Sequence, residues 1–189
     1  MPAATLARLL EGNRRYVEGR PQAATATANR VELANAQRPF AVILGCSDSR
    51  VPVEVVFDQG PGDLFVIRLA GNIVTGEVLA STEYAIEVLG SGLVVVLGHS
   101  GCGAVAAAVA RANDGAKFPG HIGLLAEAIA PSARDEHPVE ANARASARAL
   151  TARSSIVRAA VARGGVRVVA AIYDLHTGVV TLLDQISDR

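Results

Sequence analysis

Four short segments that are apolar almost throughout constrain the fold of this chain more than any other feature. Each has the length of a strand and is rich in β-branched residues, and they occupy residues 40–45, 64–70, 93–98 and 166–173. Strands without a polar face occur in parallel sheets whose two surfaces are both covered by helices. The segments therefore predict a buried, mainly parallel sheet of four strands.

The stretches between these strands supply the helices that such a sheet needs. The intervening sequence predicts helices over residues 78–89, 104–113 and 139–163, and a last strand over residues 179–184 after a turn at Thr177-Gly178. Strands that alternate with helices are typical of α/β folds with right-handed crossovers. The expected fold is an open, mainly parallel four-stranded sheet flanked by helices, with a short C-terminal antiparallel strand.

The N-terminal part of the chain departs from this pattern. Leucines and arginines alternate with helical spacing over residues 5–17, which predicts an amphipathic helix. Residues 19–38 are polar and rich in Ala and Thr, so they form either a loose arm or a second helix. We interpret residues 1–38 as an N-terminal helical arm with no obvious place in the core, which packs on a neighbouring subunit. The whole chain, residues 1–189, is expected to form a single domain.

Composition excludes several classes of function. The 18 basic and 18 acidic residues give a net charge of zero and no basic patch, so no nucleic acid partner is expected. No apolar stretch approaches the roughly 20 residues that span a bilayer, and the N-terminus lacks the pattern of a signal peptide. We therefore expect no membrane association and a cytoplasmic location. A reducing cytoplasm disfavours a disulfide between Cys46 and Cys102, which leaves buried thiols or metal ligands as alternatives.

Two polar motifs follow directly after apolar strands. Cys46-Ser47-Asp48-Ser49-Arg50 follows the strand at 40–45, and His99-Ser100-Gly101-Cys102-Gly103 follows the strand at 93–98. In open α/β sheets, sites form outside the carboxyl ends of the strands. If these two strands are neighbours, with the strand at 64–70 on the other side, both motifs face one crevice.

The two motifs together supply two thiolates and one imidazole, from Cys46, Cys102 and His99. Catalytic zinc sites use three protein ligands and leave the fourth position for water, and this ligand set favours zinc among the common metals. A single buried cysteine is usually just a small apolar residue. Packing alone does not explain the joint pattern, so the sequence predicts a zinc centre.

The same motifs carry a resemblance to a known family. The sequence resembles the β-class carbonic anhydrases, whose Cys-x-Asp-x-Arg hallmark is matched by Cys46, Asp48 and Arg50 and whose His-x-x-Cys is matched by His99 and Cys102. Residues 13–17, 61–68, 70–72 and 83–85 are similar to further characteristic stretches of that family. Ile43 stands where members with a bicarbonate switch carry Trp, so the chain resembles the plant-like subgroup.

The resemblance implies a role for each matched residue. Cys46, His99 and Cys102 would bind one Zn²⁺ per chain, with Asp48 and Arg50 as a carboxylate–guanidinium pair beside the metal. The substrate-binding positions would be Gln37, Phe65, Ala70, Tyr84 and Gly103. In the family this pocket lies at a dimer interface, so some of these residues would come from a partner chain in a homodimer or tetramer.

The implied reaction is the reversible hydration of carbon dioxide to bicarbonate and a proton, by attack of zinc-bound hydroxide. Two thiolates neutralise the charge of the zinc, so the site is expected to need help in acidifying the water. Two alternatives remain open at this point. One is a carbonyl sulfide or carbon disulfide hydrolase on the same scaffold. The other is a non-catalytic zinc module in which Asp48 fills the fourth coordination position.

Overall fold

The computed structural model describes residues 2–23 and 30–186. These residues form one five-stranded sheet with helices packed against it. The strand order is β2-β1-β3-β4-β5. The strands are β1 (Ala41–Gly45), β2 (Leu64–Arg68), β3 (Leu93–His99), β4 (Arg167–Tyr173) and β5 (Val180–Ile186). The first four pair in parallel and β5 pairs antiparallel to β4. The predicted fold class is confirmed, including the antiparallel strand at the C-terminal end.

Helices cover both faces of this sheet. They are α1 (Pro2–Val17), α2 (Arg30–Leu33), α3 (Val53–Val56), α4 (Gly76–Glu87), α5 (Gly103–Asp114), α6 (Ile122–Ile129), α7 (Pro138–Arg153) and α8 (Ser155–Ala162), with 3₁₀ turns at Ala70–Asn72 and Ala130–Ser132. Residues of α1 and α3 share one core cluster with the sheet, whereas residues of α4, α7 and α8 share the other. Every residue of β1 and β3 is buried, as the continuous apolar runs predict.

One helical expectation was wrong in detail, and one helix was missed. The predicted helix over residues 139–163 is two helices, because Ser154 is extended (φ −110°, ψ 120°) and its Oγ accepts a hydrogen bond from the amide of Val157. Serine is a favoured N-cap, so it begins α8 and separates it from α7. Helix α6 was not predicted at all. It shares a third core cluster with the residues around Cys46 and Cys102.

The N-terminal helix has a place in the core of its own chain, contrary to expectation. Leu6 and Leu9 of α1 are buried against the sheet. The following segment is also fixed, because the buried carboxylate of Asp58 accepts hydrogen bonds from the amides of Gln22 and Ala23. Part of the predicted arm, residues 24–29, lies outside the described residues.

Asn13 ties α1 to two other parts of the chain. Its Nδ2 donates to the carbonyls of Val56 (3.0 Å) and Gly178 (2.9 Å), and its Oδ1 accepts from the amide of Val180 (2.8 Å). Only 4% of the residue is exposed. One side chain therefore satisfies three backbone groups from distant parts of the sequence.

Replacing Asn13 with Ala is expected to lower the free energy of unfolding by about 2–4 kcal/mol, because buried backbone groups lose their partners. Denaturant unfolding at fixed protein concentration measures the change. The matched control is Asn113→Ala, since Asn113 is exposed near the C-terminal end of α5. Its expected effect is within about 0.5 kcal/mol. Equal effects of the two substitutions would contradict this account.

Candidate metal centre

Three metal-ligating side chains meet where two central strands end. Parallel pairing places Gly45 of β1 opposite Leu97 of β3. Cys46 and the strand-terminal His99 therefore lie side by side at the carboxyl ends of these two strands. Cys102 follows in the short turn before α5. One potential ligand atom from each of the three residues lies within 4.8 Å of the other two, and all three residues are buried. The geometry that the sequence predicted for these residues is present.

The imidazole of His99 is oriented to bind a metal ion. Its Nδ1 lies 3.0 Å from the carbonyl oxygen of Ser100. Since a carbonyl can only accept, Nδ1 must carry the proton and Nε2 keeps its lone pair. Nε2 is buried and has no hydrogen-bond partner among the described residues. A buried polar atom without a partner is costly, and a metal ion beside the two cysteines would resolve it.

The two cysteines influence each other strongly. A hydrogen bond from Cys102 outweighs burial and lowers the pKa of Cys46 to about 4, with further contributions from His99 and from the amide of Gly71. The same hydrogen bond, together with burial, raises the pKa of Cys102. Without metal the pair therefore shares one proton. A divalent cation must displace that proton, so zinc loading is expected to weaken as the pH falls.

Asp48 and Arg50 form a two-point ion pair at the rim of this cluster. Arg50 donates from Nε to Oδ1 of Asp48 (2.9 Å) and from an Nη to Oδ2 (2.7 Å), and its backbone amide also donates to Oδ1 (2.9 Å). The bond to the guanidinium holds the pKa of Asp48 well below its usual range. Oδ2 lies 3.9 Å from Nε2 of His99. An ionised carboxylate is thus held next to the metal ligands.

Arg68 stabilises the loop that carries Cys46 and Asp48. This role was not predicted from the sequence. Arg68 projects from the end of β2, donates from Nε to the carbonyl of Cys46 (2.9 Å) and from an Nη to the carbonyl of Asp48 (2.5 Å). These bonds fix the backbone on both sides of Ser47. No local pattern distinguishes this arginine from one on an ordinary strand end.

The predicted substrate-binding residues are only partly brought together within one chain. Gly103 begins α5 directly after Cys102, and Ala70 begins the 3₁₀ turn whose next residue, Gly71, donates to Sγ of Cys46. The rings of Phe65 and Tyr84 lie 6.2 Å apart, and Tyr84 is 47% exposed. The exposed ring of Tyr84 on α4 and the partly buried ring of Phe65 on β2 together form an apolar surface.

Gln37 lies at the other end of the sheet from the metal ligands of its own chain. It is exposed and lines a surface pocket with Leu33 and Pro61, before the start of β1, whereas Cys46 follows the end of that strand. The five residues of β1 separate the two positions by about 16 Å at roughly 3.3 Å per residue. The side chain of Gln37 therefore does not reach Cys46 within one chain.

Known proteins share both this sequence and this fold. The family model for carbonic anhydrases matches residues 41–180. Carbonic anhydrase 2 of Mycobacterium tuberculosis is 42% identical over 197 aligned residues, which cover 99% of this chain and 95% of that protein. This chain belongs to the β-carbonic anhydrase family. The carbonic anhydrase of Pseudomonas aeruginosa is 38% identical over 83% of this chain and 79% of its own.

Solved structures agree with that assignment. The Coccomyxa β-carbonic anhydrase in complex with acetazolamide is 28% identical, has a TM-score of 0.74, and the match covers 96% of this chain and 87% of that one. A tetrameric β-carbonic anhydrase from Sordaria macrospora, 24% identical, shares the fold with a TM-score of 0.76 over 97% of this chain and 100% of its own.

The comparisons confirm the predicted family, enzyme class and metal. The chain is a carbonic anhydrase, and the ligand set of this β-carbonic anhydrase fits the zinc that the family uses. Within residues 2–23 and 30–186, the structure contains no helix long and apolar enough to cross a membrane.

Replacing Cys46, His99 or Cys102 singly with Ala is expected to remove most bound zinc and the hydration activity together, because two ligands and a water hold zinc far less tightly than three. Metal analysis after gel filtration measures the first effect and stopped-flow hydration the second. Ser49→Ala is the matched control, since Ser49 lies in the same loop and is exposed. Full zinc occupancy in the Cys102→Ala protein would contradict the ligand assignment.

Proposed function

We propose that this β-carbonic anhydrase catalyses the reversible hydration of carbon dioxide to bicarbonate and a proton at a zinc ion held by Cys46, His99 and Cys102. The observation that carries the proposal is the side-chain arrangement itself. Three buried ligands converge, and Oδ2 of Asp48 lies 3.9 Å from Nε2 of His99 without joining the cluster. A three-ligand site with a polar pair at its rim leaves one position for the reacting water.

Zinc, when bound, supplies the Lewis acidity that makes water a nucleophile near neutral pH. Asp48 is placed to accept a hydrogen bond from the attacking water and to orient its lone pair toward the carbon of the substrate. Arg50 occupies both carboxylate oxygens of Asp48 through its own donors, which keeps the carboxylate from becoming a fourth ligand. This ion pair also argues against the alternative of a non-catalytic zinc module, in which Asp48 would be the fourth ligand.

The protein offsets the electron donation of two thiolates with hydrogen bonds to sulfur. The amide of Gly71 donates to Sγ of Cys46 over 3.3 Å. The amides of Val105 and Ala104, in the first turn of α5, act on Cys102 and lower its pKa against the larger raising effects of Cys46 and of burial. The positive end of a helix favours an anion at this place. These donors support the acidity of the reacting water.

A second copy of the chain would complete the substrate pocket. Strand β2 lies at the edge of the sheet and its first four residues are only half buried, while Tyr84 exposes an aromatic ring beside it. Gln37 does not reach its own metal centre and would be supplied across the same interface. We propose a homodimer, or a tetramer built from dimers, with the common closed symmetry.

We propose that the later part of the N-terminal arm contributes to the contact between subunits. Helix α1 already packs on its own core, so the segment that would contact a neighbour is residues 30–38, where Val31 is 76% exposed. We expect at least a dimer by light scattering at micromolar concentration, and a monomer would contradict the proposal. The cysteine ligands require reduced thiols, which supports a location in the cytoplasm.

We also propose that the chain lacks a bicarbonate switch. Ile43 fills the position of the Trp that switched members carry. Arg68 is bound to the Cys46 and Asp48 carbonyls, and the hydroxyls of Tyr173 and Tyr16 lie 3.2 Å apart. These groups are therefore already engaged. Hydration rates at neutral pH should vary smoothly with bicarbonate, and cooperative inactivation would count against the proposal.

Stopped-flow measurement on the zinc-loaded protein tests the reaction directly. Carbon dioxide and carbonyl sulfide are assayed in parallel, because a hydrolase on the same scaffold is the remaining alternative. The proposal expects carbon dioxide hydration that rises with pH through the neutral range, as more of the water becomes deprotonated. Hydrolysis of carbonyl sulfide alone, or no hydration at full zinc occupancy, would overturn it.

Replacing Arg50 with Ala is expected to lower hydration by about 10–100-fold while zinc content stays nearly unchanged. The carboxylate of Asp48 then has no guanidinium partner beside a cation, so metal coordination becomes its easiest alternative. A crystal structure of the variant should show Asp48 bound to zinc. Adding Asp48→Asn should remove that coordination but leave hydration slow.

Arg111→Ala is the matched control for this prediction. Arg111 is also a surface arginine in an ion pair, 2.9 Å from Glu127, but it lies on α5 away from the ligands. Its hydration rate should stay near that of the unmodified protein. If Arg50→Ala also keeps near-normal activity with an open site, the pair is only structural.

A further inference from the structure

A relay of two hydrogen bonds connects Cys46 to helix α7, which supplies no metal ligand. The amide N–H of Gly71 donates to Sγ of Cys46 over 3.3 Å. The carbonyl oxygen of the same glycine accepts a hydrogen bond from Nδ2 of Asn142 over 2.8 Å. Asn142 lies 71 residues further along the chain, so the two ends of the relay are brought together only by the fold.

The conformation of Gly71 explains why it needs an anchor. Its φ of +72° lies in the left-handed region that favours glycine. A Cβ at this position would lie 2.7 Å from Cδ1 of Ile129 and 3.0 Å from Cβ of Ala104, so any larger residue would be strained here. Glycine restricts its own backbone least of all residues, and the direction of its N–H therefore depends on outside contacts.

Asn142 is buried where it can make this hydrogen bond. Only 3% of the residue is exposed, and a buried amide is costly unless it is hydrogen-bonded. The next residue, Ala143, approaches β3 closely, since a Cβ on Gly98 would lie 3.3 Å from that of Ala143. This close packing holds α7 at the depth from which Asn142 reaches Gly71. Packing alone would favour an apolar side chain at this buried position.

We propose that Asn142 is a positioning residue that holds the Gly71 amide on the sulfur of Cys46 and thereby limits the electron donation of this thiolate to the metal. An N–H group that donates to a thiolate draws electron density from the sulfur. The metal then keeps more positive charge, which a site with two thiolates needs. The inference deepens the proposed function and rests on it.

The cobalt-substituted protein provides the test, because its thiolate-to-cobalt charge-transfer band reports the donor strength of sulfur without any turnover. Asn142→Leu removes the donor at similar volume. The band should move to longer wavelength, and zinc affinity in a chelator competition or the hydration rate should change by about 10–100-fold. The matched control is Thr151→Val, which removes a partly buried hydrogen bond to the carbonyl of Arg148 within the same helix. Its band should stay in place.

An unmoved band in folded, cobalt-loaded Asn142→Leu protein would overturn the inference, as would an equal shift in the Thr151→Val control. A second measurement needs no variant. In the cadmium-loaded unmodified protein, NMR should detect a through-bond coupling between the metal nucleus and the amide proton of Gly71, and its absence would overturn the N–H to sulfur contact. Both readouts are independent of carbon dioxide hydration. If the band shift and the metal–proton coupling are observed as expected but the protein does not hydrate carbon dioxide, only the proposed function is contradicted.

Discussion

The parallel pairing of β1 with β3 is the constraint on which the metal site depends. It places Cys46 and His99 side by side at the carboxyl ends of the two strands, because Gly45 lies opposite Leu97. A slip of one residue would turn every side chain of β1 to the opposite face. Burial prevents that slip. Ile43 belongs to the core cluster on one face of the sheet, whereas Val42 and Leu44 belong to the cluster on the other.

The chemistry of the site is a balance of charge around a divalent cation. Two thiolates bring strong binding at the expense of Lewis acidity. The surrounding groups act in the opposite sense. The amide of Gly71 donates to the sulfur of Cys46, the amides in the first turn of α5 act to lower the pKa of Cys102, and Arg50 keeps the carboxylate of Asp48 on its own guanidinium. Each of these donors belongs to a different structural element. The chain must therefore be fully folded before all these donors can act on the sulfur ligands and on Asp48.

The sequence predicted the strands and the ligands because both depend on local patterns. Continuous apolar runs identify buried parallel strands, and the two motifs follow those strands directly. The residues that support the site escaped prediction because their partners are distant along the chain. Asn142 and Arg68 look like ordinary helix and strand residues until the fold places them beside Gly71 and the Cys46 carbonyl. Similarly, the buried position of Leu9 on the sheet could not be distinguished from a helix that packs on a neighbouring subunit, since both require the same amphipathic pattern.

The central claim is that one zinc ion is bound by two cysteines and one histidine, with one position left for water. X-ray absorption at the zinc edge of the loaded protein measures this ligand set directly. The account predicts two sulfur atoms at about 2.3 Å, one imidazole nitrogen at about 2.0–2.1 Å, and one further light atom. A shell with a single sulfur atom, or with none, would contradict it.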